Sequence, residues 1–207
     1  MEADLSTAAR LLKQQTADSH RRVEQQLDLA RSITPARMLD VLQRLGGFWA
    51  AEEPHLHAWF AAHPAAAEAL QWSRRARLAA VRADLVAVSA AAGVPTPELV
   101  AAPRVFTDLD EAAVLGWLYV TEGSTLGGAV IDRMLRDAGF PCRLGTFAAY
   151  PEGPQPMWRA YLAHLEAWTS ASDARVELVV AAGVTTFAAL EQWVDAFSPS
   201  ADVSVPA

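Results

Sequence analysis

A chain of 207 residues and 22.3 kDa, 52% hydrophobic, can bury one sizeable core and is short for two, so a single domain is expected. A formal net charge of −7 argues against nucleic acid or an anionic membrane as the main partner, and a single cysteine, Cys142, excludes an internal disulfide. No apolar run reaches the length of a membrane span, and the acidic start MEADL lacks the basic flank of a secretion signal, so a cytoplasmic location without membrane insertion is expected.

Ser6 or Thr7 can cap a first helix running to about Leu29, with Ala8, Leu12, Thr16, His20, Val23 and Leu27 as its inward stripe. Thr34 before Pro35 opens a second helix, apolar from Met38 to Trp49, with Gly46 and Gly47 placed to bend it. Residues 55–60 and 65–72 read as shorter helical pieces parted by His63 and Pro64. Another helix is expected over 73–92, ended by Gly93 and a linker carrying Pro95 and Pro97. Asp108, Asp110 and Glu111 charge the start of a helix centred on 116–135, which Gly139 and Pro141 stop. A loop rich in Gly and Pro covers 139–156, and helices over 155–168 and 173–197 close the chain. No segment alternates as a strand does, so the fold class is all-α, with a domain over 1–197 and a disordered tail over 198–207.

The helix over 116–135 breaks a rule of helices. Gly123, Gly127 and Gly128 sit in its middle, each costing about 1 kcal/mol relative to alanine. Gly123 and Gly127 are four apart and share a face, which leaves a bare strip of backbone. Either another helix packs on the strip, or the helix kinks there, or a flat ligand lies against the backbone. Ser124 and Thr125 add hydroxyls to the same region.

On the first helix, His20 has Glu24 at i+4, positioned to accept from Nδ1 and leave Nε2 for a metal. A satisfied core histidine, with Glu24 paired to Arg21, is the alternative. Lys13, the only lysine beside sixteen arginines, lies about 10 Å along the axis from His20 on nearly the same face. A cation there could reach carboxylates on the rim of a planar macrocycle, or could simply be solvated.

Two motifs resemble the heme oxygenases, in particular their bacterial, biliverdin-forming type. The first is Lys13-Gln-Gln-Thr16-Ala-Asp-Ser-His20-Arg-Arg-Val-Glu24, similar to the proximal helix of that family. The second is Gly116-Trp-Leu-Tyr119-Val-Thr-Glu122-Gly123-Ser124-Thr-Leu-Gly127-Gly128, similar to its distal helix, and a looser likeness extends to Gly153, Trp158, Thr186, Phe187 and Trp193. The resemblance implies a multi-helix bundle with haem b sandwiched between the two helices, as both cofactor and substrate. It implies His20 as the iron ligand, Glu24 behind it, Lys13 and Tyr119 on the propionates, and Thr16 and Gly128 in the binding site. Gly123, Ser124 and Gly127 would form the distal face where O2 is positioned. Biliverdin, CO and ferrous iron would be the products, a ferredoxin or a reductase the electron donor, and a bacterial phytochrome a user of the biliverdin. Animal members carry aspartate where this chain has Ser124, which opens the question of what holds the distal water. Arg159 and Arg175 are further cations that could approach the propionates.

Four rival readings compete. A haem carrier of the same fold would share His20 and Lys13 but not turn over. A di-iron oxidase would use Glu52 and His55, which have Pro54 between them and no second such pair. A thiamin-degrading enzyme would need a nucleophile from Cys142, and a purely structural bundle would use the glycines for packing.

Overall fold

The computed structural model describes residues 6–28 and 33–197, so the expected tail over 198–207 lies outside the described residues. Seven α-helices and one short 3₁₀ turn make up the regular structure, with no strand among the described residues. Helix α1, Thr7–Leu27, starts where Ser6 accepts from the Ala9 amide and ends on Asp28 in the left-handed region. Helix α2, Pro35–Ala62, begins at Thr34, whose side chain accepts from the Arg37 amide.

Helix α2 corrects one expectation and adds a second role for its glycines. It continues unbroken through Pro54, so the piece over 55–60 is its last turns, with the proline on the exposed side. Gly46 and Gly47 are close-approach positions: a Cβ on Gly46 would lie 2.6 Å from Val81, and one on Gly47 2.5 Å from the Val100 carbonyl oxygen. The pair lets Val81, the segment at Leu99 and Val100, and Trp193 lie against α2.

Helix α3, Pro64–Ala69, and a 3₁₀ turn, Trp72–Arg74, precede α4, Leu78–Ala92. The helix expected from 73 thus begins five residues late. Its first amides are taken by a distant carboxylate: Glu53 of α2 accepts from Arg77 N at 2.6 Å and Leu78 N at 3.0 Å. Helix α5, Glu111–Asp137, is capped by Asp110, which accepts from the Ala113 amide at 2.8 Å, and stops at Gly139 with φ 68°. Its 27 residues span about 40 Å. The loop that follows is pinned by Asp84 of α4, whose carboxylate accepts from the amides of Gly145 and Thr146. Helices α6, Gln155–Thr169, and α7, Asp173–Ala196, complete the chain.

Helix α7 is the scaffold. Both α1 and α5 pack on it rather than on each other. Close approach is again by glycine: a Cβ on Gly116 would sit 2.5 Å from the Ala182 Cβ, and one on Gly183 would overlap Leu12. Two helices leaning on a third, without closing on one another, leave a slot between them. No helix among the described residues is long and apolar enough to cross a membrane.

Candidate functional site: the slot between α1 and α5

Two cavities of about 380 and 430 Å³, each of ligand size, share His20, Val120, Gly123, Ser124, Leu126 and Phe187 as walls and so form one continuous slot. His20 lies on the α1 side. Expected in the buried stripe, its side chain is instead 49% exposed, because it lines the slot while Leu12, Thr16, Val23 and Leu27 fill the core. Its Nδ1 is 3.5 Å from Glu24 Oε2, which leaves Nε2 as the ring's other nitrogen. Phe187 of α7 meets the imidazole edge-on, with centroids 5.7 Å apart.

The α5 side carries the bare strip. A Cβ on Gly127 would meet no atom within 4 Å, and one on Gly123 only the Trp158 ring at 3.9 Å. Among the described residues only the rim of Trp158 reaches Gly123 and nothing reaches Gly127, so close helix packing does not account for the pair. Gly128, one step round, is buried and faces the Phe147 carbonyl oxygen, 3.2 Å from where a Cβ would be. The Ser124 hydroxyl lines the slot but donates to the Thr121 carbonyl at 2.7 Å, and Thr125 donates to Glu122 in the same way.

The slot's two ends differ. The outer end holds Lys13, Arg21, Tyr119 and Trp158. Burial pushes the Tyr119 phenol up, and the neighbouring Thr16 hydroxyl and Lys13 cation oppose this. Thr16 is itself buried and donates to the Leu12 carbonyl at 2.7 Å. The inner end is walled by Leu45, Trp49, Phe147 and Leu190, with Arg77 and Thr146 beside them. Arg175 stays away from the slot, donating to the Trp168 carbonyl with its guanidinium 4.9 Å from that ring.

Behind α5 lies a buried charge cluster that the sequence did not announce. Glu122 is 1% exposed; Arg75 Nη1 lies 2.7 Å from it, and the Tyr150 hydroxyl donates to it at 2.9 Å. Burial, with Glu122 beside it, pushes the Tyr150 phenol well above its ordinary value. A glutamate in the otherwise uncharged middle of α5 was the available signal, but its partners come from segments remote in the chain.

The rival centres fail on geometry. Glu52 is fully buried and accepts from the amides of Val105 and Phe106, while His55 is exposed. The Cys142 thiol is held above its ordinary value by burial and by Asp84, the reverse of an activated nucleophile. No group of three metal-ligating side chains occurs among the described residues.

A slot with one imidazole facing an open glycine strip suits a flat, metal-centred ring held by a single axial side chain. The heme oxygenase family model matches residues 6–196, nearly all of the chain. The chain belongs to the heme oxygenase family. Within that family it is 38% identical over 113 residues to a heme oxygenase of Xanthomonas campestris pv. campestris (strain 8004). That match covers 54% of this chain and 63% of the relative, so it spans less than two thirds of the relative's length. The fold is shared with a heme oxygenase from Neisseria meningitidis, solved with NO and with CO bound, at a TM-score of 0.68 and 22% identity. The superposition covers 97% of this chain and 96% of that one.

Proposed function

We propose that this member of the family is a working heme oxygenase, opening haem to biliverdin, CO and ferrous iron with O2 and electrons from a reductant. The observation that carries the reading is the open strip at Gly123 and Gly127 across the slot from His20. The residues fit haem b on three counts: an imidazole on one wall, backbone without Cβ on the other, and Lys13 with Arg21 at the outer end.

When bound, haem supplies iron-centred activation of O2 next to its own ring edge. His20 Nε2 would hold the iron, and Glu24, 3.5 Å from Nδ1, is placed to orient the ring by accepting from that nitrogen. Lys13 and Tyr119 would bind the propionates and so set which ring edge faces inward. Gly123 and Gly127 admit the backbone close to the distal face, which is a positioning role. The apolar inner walls exclude water and strengthen the electrostatics of the few polar groups that remain. In this reading the chain works in the cytoplasm with a ferredoxin or a reductase, and its biliverdin supplies an acceptor such as a bacterial phytochrome.

The test is an optical titration with hemin on wild type and His20→Ala, followed by ascorbate or reduced ferredoxin. A one-to-one Soret band that His20→Ala weakens or shifts, then bleaching into biliverdin absorption, is expected. Stable binding without bleaching under several reductants would make the protein a haem carrier, and no saturable binding would defeat both readings.

A further inference from the structure

A bond from His20 fixes the centre of a flat ring but leaves the ring free to turn about that bond, so its in-plane orientation must be set at its rim. The outer end of the slot offers two kinds of rim contact. The cations are soft. Lys13 and Arg21 are exposed on long side chains, and Arg21, at 65% exposure, also pairs with Asp18. Exposed pairs of this kind are weak, so they draw a carboxylate edge outward without holding it to one angle. Trp158 is the hard contact. Its indole stacks on Tyr161, with centroids 5.2 Å apart and 27° between planes, and leans on Tyr119 with centroids 5.8 Å apart. Tyr161 is fully buried and donates to the Leu115 carbonyl at 3.0 Å. One residue before Trp158, the Met157 carbonyl accepts from the buried Arg75 guanidinium at 3.0 Å. An indole backed in this way cannot swing aside without unstacking from the core.

The indole also stands where the glycine strip begins. Its Cη2 and Cζ3 atoms lie 3.9 Å from where a Cβ on Gly123 would be, whereas Gly127, about 6 Å further along α5, faces nothing within 4 Å. Trp158 lines only the outer cavity and Gly127 only the inner one, so the strip is closed at its outer glycine and open at its inner glycine. We propose that Trp158 is a specificity-determining residue of the ring-opening reaction, a fixed stop against the outer rim of the flat ring. It sets the ring's in-plane orientation and with it the edge that reaches the inner end. A flexible carboxylate chain can bend past the indole to Lys13 or Arg21, whereas a stiff ring corner cannot. The inference rests on the haem reading above and adds to it the contact that makes the orientation unique.

The experiment is proton NMR of the full-length protein loaded with one equivalent of hemin and cyanide, for wild type, Trp158→Phe and Trp158→Ala. The hyperfine-shifted ring-methyl resonances report the ring's rotation relative to His20 and need no turnover. The wild-type methyl pattern is expected to persist in Trp158→Phe, which keeps an aromatic rim on Tyr161. In Trp158→Ala it is expected to shift or multiply, with the Soret maximum unmoved because the bond to His20 is intact. Turnover of the same preparations with ascorbate is then expected to give more biliverdin isomers from Trp158→Ala than from wild type. The wild-type methyl pattern in Trp158→Ala overturns the proposal and leaves the haem reading standing. No hemin binding by wild type defeats the haem reading and this inference with it. If Trp158→Ala does not fold, Trp158→Leu, which keeps apolar bulk against Tyr161 without a flat rim, carries the comparison under the same criteria.

Discussion

At the scale of single residues, the glycines of α5 divide by what a methyl group would meet. A Cβ on Gly116 would lie 2.6 Å from the Ala182 carbonyl carbon and the Gly183 nitrogen, backbone that cannot retreat without moving α7. One on Gly127 would enter open space in the slot wall. Gly116→Ala is therefore expected to destabilise the fold by about 1–3 kcal/mol through overpacking. Gly127→Ala is expected to leave stability unchanged or raise it by up to about 1 kcal/mol, since alanine is the better helix former, while weakening hemin binding or turnover. Urea midpoints and the Soret titration read the two effects separately. Wild-type haem behaviour in Gly127→Ala would remove the strip from the site.

At the scale of elements, the chain's punctuation was legible. Ser6, Thr34 with Pro35, Asp110 and Gly139 mark helix ends that the structure confirms, because caps and breakers act through the nearest backbone. The start of α4 was not legible, since its cap is Glu53 on another helix. The close approach at Gly46 and Gly47 was not legible for the same reason: their contacts, with Val81 and Val100, come from segments far along the chain. In the slot, the pairing of His20 with Glu24 was readable at i+4, whereas Arg77, Thr146 and the Glu122 cluster are assembled only by the tertiary fold. That cluster ties three elements together, α5 through Glu122, the turn before α4 through Arg75, and the loop before α6 through Tyr150. Arg75→Met removes the close partner of a carboxylate that stays buried, with an expected loss of about 3–5 kcal/mol. Tyr150→Phe removes one neutral donor and is expected to cost about 1–2 kcal/mol. Urea unfolding of both variants checks the order, and an Arg75→Met protein as stable as wild type would contradict the role given to this buried pair.

At the scale of the whole molecule, all three tyrosines are placed where ionisation is resisted. Tyr119, Tyr150 and Tyr161 each have a phenol raised above the ordinary 10.0, and burial is the leading cause in every case. Tyr161 is fully buried and donates to the Leu115 carbonyl; Tyr150 faces the Glu122 carboxylate; Tyr119 lines the slot near the Lys13 cation. The sign follows from linkage. A phenol whose folded value is raised stays protonated in the native state while the unfolded chain releases its proton, so the contribution to stability is intact below pH 10 and is lost as pH rises past it. Alkaline titration followed at 295 nm and by far-ultraviolet circular dichroism is expected to show a small early phenolate signal from Tyr119. Most of the phenolate signal then rises together with loss of helix, above the ordinary range. Tyr150→Phe removes one of the groups that drive this unfolding and is expected to move the transition to higher pH relative to its own neutral-pH stability. Three phenols titrating near pH 10 with helicity intact would contradict the packing that joins α5 and α6 behind the slot.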